Sequence, residues 1–164
     1  MKKTLAIDPG LRFCGVAIGI GGELKACALI ANPDKQGRNG AAWGSMARAV
    51  RDWADAQGPF DLVKCETPMQ YQFGHHGGKK VDPDDILQIQ GVVGALSALY
   101  SNIVTIHPYQ WKGQLPKDVG YNRVRSKLSE EELKILDDAK CADSKRHNIG
   151  DAVGIFLNDI GRFK

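Results

Sequence analysis

Three acidic residues stand where their carboxylates could act together. Asp8 and Glu66 each end a short apolar run, and Asp151 lies in an apolar helical stretch. If the two runs are parallel neighbours, both strand-end acids emerge at the sheet edge where open α/β sheets bind ligands. Three carboxylates gathered without basic partners repel one another, and hard divalent cations such as Mg²⁺ or Mn²⁺ relieve that repulsion. Two such ions ~3.5–4 Å apart can activate a water and stabilise the leaving oxygen of a phosphodiester.

Each acid also has a plainer interpretation. Asp8 precedes Pro9 and Gly10 and could simply begin a turn. Glu66 could be a solvated acid at a strand end, and Asp151 a solvated acid on a helix. It is their joint placement on the predicted strand order that favours a metal site.

The composition is that of an ordinary globular domain. The 164 residues are 43% apolar and 25% charged, which excludes a disordered chain, a fibrous repeat and a disulfide-dense mini-protein. The net charge of +3 fits a nucleic-acid partner without requiring one. Basic residues concentrate between Lys112 and Lys127, where Asp118 is the single acid.

The sequence also predicts a cellular location and a cysteine state. No apolar run approaches the ~20 residues of a membrane span. The opening MKKTLAID reaches an aspartate before any signal-peptide core can form. We therefore expect a cytoplasmic protein with no membrane partner. The four cysteines form no CxxC pair, so reduced, partly buried thiols are expected and a zinc site is not.

Hydrophobic periodicity predicts the order β-β-β-α-β-α-β-α-α. The predicted strands are 3–8, 12–20, 24–31, 60–66 and 102–107, and the predicted helices are 41–56, 84–101, one starting at Ser129 and one from about 143 to 159. Residues 67–83 form a long loop, and 108–127 cannot be assigned. Trp43 and Trp53 fall on the apolar stripe of the first helix, and Gly91 and Gly94 are expected to allow close packing on a sheet. Three hairpin strands followed by β-α-β units predict a mixed α/β sheet with helices on both faces.

With these motifs in place, the sequence resembles a known family. Residues 5–19, LAIDPGLRFCGVAIG, resemble the opening of the RuvC family of Holliday-junction resolvases, within the RNase H-like superfamily. Glu66 matches the second family motif, and Asp151 with Ala152 matches the last. Gln90-Gly91 and the pattern Pro108-x-Gln110-x-Lys112 resemble two further segments. The first motif alone is distinctive.

The resemblance implies a single RNase H-like nuclease domain over residues 1–164, with a five-stranded mixed sheet. It implies a homodimer that resolves four-way DNA junctions by paired, metal-dependent nicks that leave 5′-phosphates. Two Mg²⁺ ions, for which Mn²⁺ can substitute, are the expected cofactors. Branched DNA is the expected partner, with any branch-migration motor on a separate chain.

The resemblance also assigns roles to residues. Asp8 would bridge both metals, and Glu66 and Asp151 would complete the sites. The family places Asp or His three residues before the final Asp, where this chain has Asn148. We favour the preceding His147 as a ligand or a water-orienting base, with Asn148 as the alternative, because both share a helix face with Asp151.

Basic and aromatic residues are expected to contact the DNA. Lys112 falls where the family has a lysine near the scissile phosphate, although the following QLPKDVGYN departs from the family pattern. Aromatics of the long loop would stack on unpaired bases, and basic side chains would contact phosphates. The predicted DNA-binding residues are Tyr71, Phe73, Lys79, Lys80, Lys112, Lys117, Arg123 and Arg125. The adjacent His75 and His76 are not expected to form a metal site.

Other functions remain open. The same fold and metal chemistry would serve an RNase H-like nuclease acting on forks, flaps or RNA–DNA hybrids. A non-catalytic junction-binding module is supported only by Asn148 at a ligand position. The Asp-x-Gly turn also occurs in actin-like ATPases, but those proteins are far longer.

Overall fold

A five-stranded mixed sheet forms the centre of the computed structural model, which describes residues 1–68, 82–113 and 115–163. The strands are β1 (Lys3–Asp8), β2 (Phe13–Ile20), β3 (Glu23–Ala31), β4 (Leu62–Glu66) and β5 (Ile103–Ile106). Their order is β3-β2-β1-β4-β5. The first three strands are antiparallel, and β1, β4 and β5 are parallel. The predicted strand order along the chain is therefore confirmed.

Helices cover both faces of the sheet, as predicted. They are α1 (Gly40–Asp55), α2 (Pro83–Leu99), α3 (Pro108–Trp111), α4 (Lys117–Ser126), α5 (Glu130–Asp138) and α6 (Arg146–Asp159). Helices α1 and α2 pack over one core with Leu5, Ile7 and Val16 of the sheet. Helix α6, with residues of α3, α4 and α5, packs over the other. No helix in the described part of the chain combines the length and apolar character needed to cross a membrane.

The sheet register brings the two strand-end acids together. Ile7 of β1 pairs with Cys65 of β4 in the parallel ladder, so Asp8 and Glu66 follow as neighbours at one edge. On the other side of β4, Glu66 pairs with Ile106 of β5. This edge is the carboxyl end of three parallel strands, where α/β sheets place their ligands.

Glycines in β2 let α6 approach this edge closely. A Cβ on Gly15 would lie 1.9 Å from the carbonyl oxygen of Asn148, and one on Gly19 would overlap the ring of Phe156. Gly15 is also the partner of Asp8 in the antiparallel ladder. The absence of a side chain at Gly15 therefore lets the turn of α6 that carries Asp151 lie beside Asp8.

Several local features differ from the predictions. The unassigned segment 108–127 contains α3 and α4. The last helix was predicted from about 143, but a 3₁₀ turn occupies Asp143–Lys145 and the α-helix begins at Arg146. Gly91 packs against the ring of Trp43 on α1 and not against the sheet.

Other local predictions are confirmed. The helix predicted to start at Ser129 is α5, which Ser129 caps through a capping box with Glu132. Trp43 and Trp53 are half-buried and pack against the core under α1 and α2. All four cysteines are free thiols, with Cys14 and Cys65 buried.

Candidate active site

Glu66 is a largely buried carboxylate at the end of β4. Its side chain is 14% exposed, and burial raises its pKa above the ordinary value, opposed by the positive charge of Lys112 and a hydrogen bond from Trp111. The indole Nε1–H of Trp111 donates to Oε2 of Glu66 at 2.8 Å. The raised pKa follows from the cost of burying a charge. The uncharged N–H of Trp111 thus holds the Glu66 carboxylate in one orientation.

Lys112 links Glu66 to Asp151. Its Nζ donates to Oδ2 of Asp151 at 2.7 Å and lies 3.4 Å from Oε2 of Glu66. Burial lowers the pKa of this ammonium, but attraction to the two carboxylates outweighs that effect and leaves the pKa raised. The two carboxylates therefore converge on one cationic position.

Asp8 adds a third negative charge to the same region. Asp8 ends β1 beside the end of β4 that carries Glu66, and its charge adds to the raised pKa of Lys112. Burial raises the pKa of the Cys14 thiol to about 12, and the charge of Asp8 adds to that rise. The structure therefore gathers the three acids predicted from the sequence, on two strands and one helix.

Two of these acids have a basic partner, Lys112, whose ion pairs the sequence did not indicate. Its charge relieves the repulsion between Glu66 and Asp151 that was expected to require a metal ion. Within residues 1–68, 82–113 and 115–163, no group of three or more acidic, histidine or cysteine side chains surrounds a single ion position. The donor set still fits a hard cation, because two carboxylates already share one cation in Lys112.

Trp111 is the site residue that the sequence analysis missed. Its side chain is buried and meets Phe163 edge to face, with ring centroids 5.2 Å apart. A Cβ on Gly154 of α6 would lie 2.3 Å from the Trp111 ring. Trp111 lies between two residues of the family-like pattern Pro108-x-Gln110-x-Lys112, which was the only available signal.

His147 and Asn148 lie on the first turn of α6, four and three residues before Asp151. Both are half-buried. The backbone of Asn148 is the part of this turn that meets Gly15. The choice between the two side chains as a metal ligand stays a prediction.

The predicted DNA-binding residues fall into three groups. Lys112 belongs to the acid cluster, the name used here for Asp8, Glu66 and Asp151 together with this lysine. Arg123 lies over the ring of Phe163, at 5.1 Å from its centroid, and Arg125 forms an ion pair with Asp137. Tyr71, Phe73, Lys79, Lys80 and the side chain of Lys117 lie outside the described residues, as do His75 and His76.

Compared by sequence, the chain matches no protein-family model and no curated protein. Compared by structure, it is similar to Thermus thermophilus RuvC in complex with a Holliday junction substrate, with a TM-score of 0.65, 14% identity, and coverage of 99% of this chain and 98% of that chain. A second Thermus thermophilus RuvC structure gives a TM-score of 0.60 at 16% identity, covering 98% and 97%. The yeast mitochondrial Holliday junction resolvase Ydc2 gives 0.66 at 11% identity, covering 99% and 78%. The resemblance to the RuvC family is therefore confirmed at the level of the fold.

Proposed function

We propose that this protein is a structure-selective DNA endonuclease that resolves four-way junctions by paired, metal-dependent nicks leaving 5′-phosphates. The observation that carries the proposal is the convergence of Asp8, Glu66 and Asp151 at one sheet edge of a RuvC-like fold. Fold alone does not determine activity. The site adds three carboxylates and one lysine, which suit phosphodiester hydrolysis.

The three acids would hold two Mg²⁺ ions, or Mn²⁺ in their place, together with His147 or Asn148. When bound, such ions supply a Lewis acid for the phosphate and lower the pKa of a bound water. The chain's own contribution is to hold the carboxylates in place. Trp111 orients Glu66 through its N–H, while α6 holds Asp151 against the sheet.

We propose that Lys112 binds a phosphate of the substrate in addition to forming ion pairs with the acids. Without DNA its ammonium pairs with two partly buried carboxylates. A phosphodiester entering the site would offer it a further negative partner. Lysine binds phosphate as a point charge on a flexible stem, so a short side-chain movement suffices.

Paired nicks need two active sites, and the described part of this chain carries one such site. We therefore propose a homodimer with branched DNA as its partner and any branch-migration motor on a separate chain. A nuclease for forks, flaps or RNA–DNA hybrids is the second candidate, because the carboxylate cluster would serve either substrate.

A cleavage assay tests the proposal. The protein is mixed with an end-labelled four-way junction and, in parallel, with the matching duplex, fork and RNA–DNA hybrid, each with and without Mg²⁺. We expect symmetric nicks in the junction alone, lost in Asp8→Asn and retained in Asp52→Asn, a matched change of an exposed carboxylate on α1.

Other outcomes would move or overturn the proposal. Equal or better cutting of forks or hybrids would assign the second candidate function. Junction binding without cutting in Mg²⁺ or Mn²⁺ would make the protein a non-catalytic binding module.

A further inference from the structure

A pair of stacked aromatic rings, one exposed and one half-buried, lies beside the acid cluster. The rings of His107 and Tyr109 are nearly parallel, with an interplanar angle of 13° and centroids 5.8 Å apart. Tyr109 is 55% exposed. The Tyr109 ring is therefore stacked beside His107 and is open to solvent over about half of its surface.

The pair is fixed to the strands that carry the site. Nδ1 of His107 contacts the carbonyl oxygen of Thr67 at 3.1 Å, and Thr67 directly follows Glu66. The backbone N–H of His107 donates to Oε1 of Gln110 at 2.8 Å. His107 also follows Ile106, the ladder partner of Glu66. The aromatic surface therefore lies next to Glu66 along both β4 and β5.

The Tyr109 ring is not needed to hold α3 in place. The buried residues of that helix are Pro108 and Trp111, and Lys112 adds the ion pairs to Glu66 and Asp151. Single exposed aromatics are common on protein surfaces. This one differs because it is stacked on a second ring that is itself hydrogen-bonded, so its orientation is set before any ligand arrives.

We propose that His107 and Tyr109 form a stacking site for an unpaired nucleobase of the DNA strand bound at the acid cluster. Flat aromatic rings bind bases through their π-faces with little sequence preference. Lys112, three residues after Tyr109, supplies a positive charge for the backbone of the same strand. Bases can unpair at a branch point but stay stacked in continuous duplex, so this site favours branched DNA.

This inference rests on the proposed function, since it takes branched DNA as the ligand. It adds a contact on α3 that is separate in the chain from the predicted loop aromatics Tyr71 and Phe73. The nucleobase is favoured over a protein partner because the surface adjoins a cluster suited to phosphodiesters.

The test measures stacking directly, without cleavage. Full-length protein carrying Asp8→Asn is titrated in Mg²⁺ into a four-way junction with the fluorescent base 2-aminopurine at the exchange point. Tyr109→Phe keeps the ring, whereas Tyr109→Leu keeps apolar bulk without a π-face. We expect quenching of 2-aminopurine with the parent and Tyr109→Phe, and its loss with Tyr109→Leu. The Kd of Tyr109→Leu should rise by about 5- to 100-fold, as the loss of one stacked base implies.

Equal quenching and Kd in all three proteins would overturn the inference. Loss of affinity without loss of quenching would also overturn it, because Tyr109 would then support binding without stacking on the base. A concentration-dependent dimer lost in Tyr109→Leu would assign the surface to a second copy instead. The proposed function is tested separately, by measuring whether the unmodified protein cleaves the junction. If that protein cuts junctions while Tyr109→Leu stacks normally, only the stacking site is wrong.

Discussion

The backbone of Gly15 in β2 lies directly against the backbone carbonyl of Asn148 in α6. A Cβ at Gly15 would lie 1.9 Å from that oxygen, far inside van der Waals contact. Because Gly15 is the ladder partner of Asp8, this contact sets the distance between the β1 acid and the helix that carries Asp151.

Gly15→Ala should therefore destabilise the protein and disturb the site. The neighbour is backbone, so α6 must shift to admit the methyl group, and overpacking of this kind costs ~1–3 kcal/mol or more. We expect the free energy of unfolding, measured in urea, to fall by about 2 kcal/mol or more, with a loss of cleavage activity.

Gly94→Ala is the matched control. A Cβ at Gly94 in α2 meets no atom within 4 Å, and alanine is favoured over glycine inside a helix by about 0.5–1 kcal/mol. We expect it to be neutral or stabilising. Equal effects of the two substitutions would show that the close approach of α6 is not what Gly15 provides.

Trp111→Phe should reduce cleavage while leaving the fold intact. It keeps a ring against Gly154 but removes the N–H that donates to Glu66 at 2.8 Å. Hydrogen bonds to charged groups contribute ~1.5–3 kcal/mol, so we expect cleavage to fall by about 10- to 100-fold. Because that bond lowers the pKa of Glu66, the acid limb of the pH–rate profile should also move to higher pH.

Trp43→Phe provides the control for this prediction. It removes an indole N–H that donates at the same distance, 2.8 Å, to Gln88 on the α1–α2 side of the sheet. Its cleavage rate and pH profile should match those of the unmodified protein. An unaltered rate in Trp111→Phe would mean that Glu66 does not depend on this donor.

The strand-end acids were predictable because their placement follows from local patterns. Short apolar runs bounded by turn residues define β1 and β4, and the parallel pairing expected of β-α-β units then puts Asp8 and Glu66 at one edge. Asp151 could be placed because the apolar periodicity of α6 is long and regular.

The partners of those acids were not predictable in the same way. Helix α3 has four residues, too few for any periodicity to show. The contact of Trp111 with Glu66 joins residues 45 positions apart, and that of Lys112 with Asp151 joins residues 39 apart. Such contacts depend on the tertiary arrangement. The family resemblance singled out Lys112 among the basic residues of its segment, but as a partner of the scissile phosphate and not of the acids.

Lys112→Met should tighten metal binding and still abolish or greatly reduce cleavage. Methionine keeps the apolar stem but removes the charge that an entering cation must displace from Glu66 and Asp151. An ion pair at this separation contributes up to ~4 kcal/mol near a protein surface, so we expect at least a several-fold fall in the Kd for Mn²⁺. Calorimetry without DNA at pH 8 measures it.

Lys64→Met is the control for metal binding. Lys64 forms an ion pair with Asp159 at 3.1 Å, away from the acid cluster, so its loss should leave the Kd for Mn²⁺ unchanged. Weaker Mn²⁺ binding in Lys112→Met would contradict the prediction and show that the lysine assists the ion instead of competing with it.

Glu132 should make the free energy of unfolding depend on pH under acidic conditions. Its buried carboxylate accepts hydrogen bonds from the Arg162 guanidinium and from the backbone N–H groups of Leu24 and Ser129. Burial alone would raise its pKa, but these donors outweigh it and lower the pKa to about 2. A carboxyl pKa depressed by folding stabilises the native state above the unfolded value of ~4.3, and this contribution is lost as the pH falls towards 2.

Glu132→Gln should therefore cost about 2 kcal/mol or more at pH 7, because Arg162 loses its partner. The difference in unfolding free energy from the unmodified protein should shrink as the pH falls from 4.5 to 2. Urea unfolding at several pH values measures both effects, with Glu130→Gln on the exposed start of α5 as the control. A difference that stays constant over this range would show that the ionisation of Glu132 does not stabilise the fold.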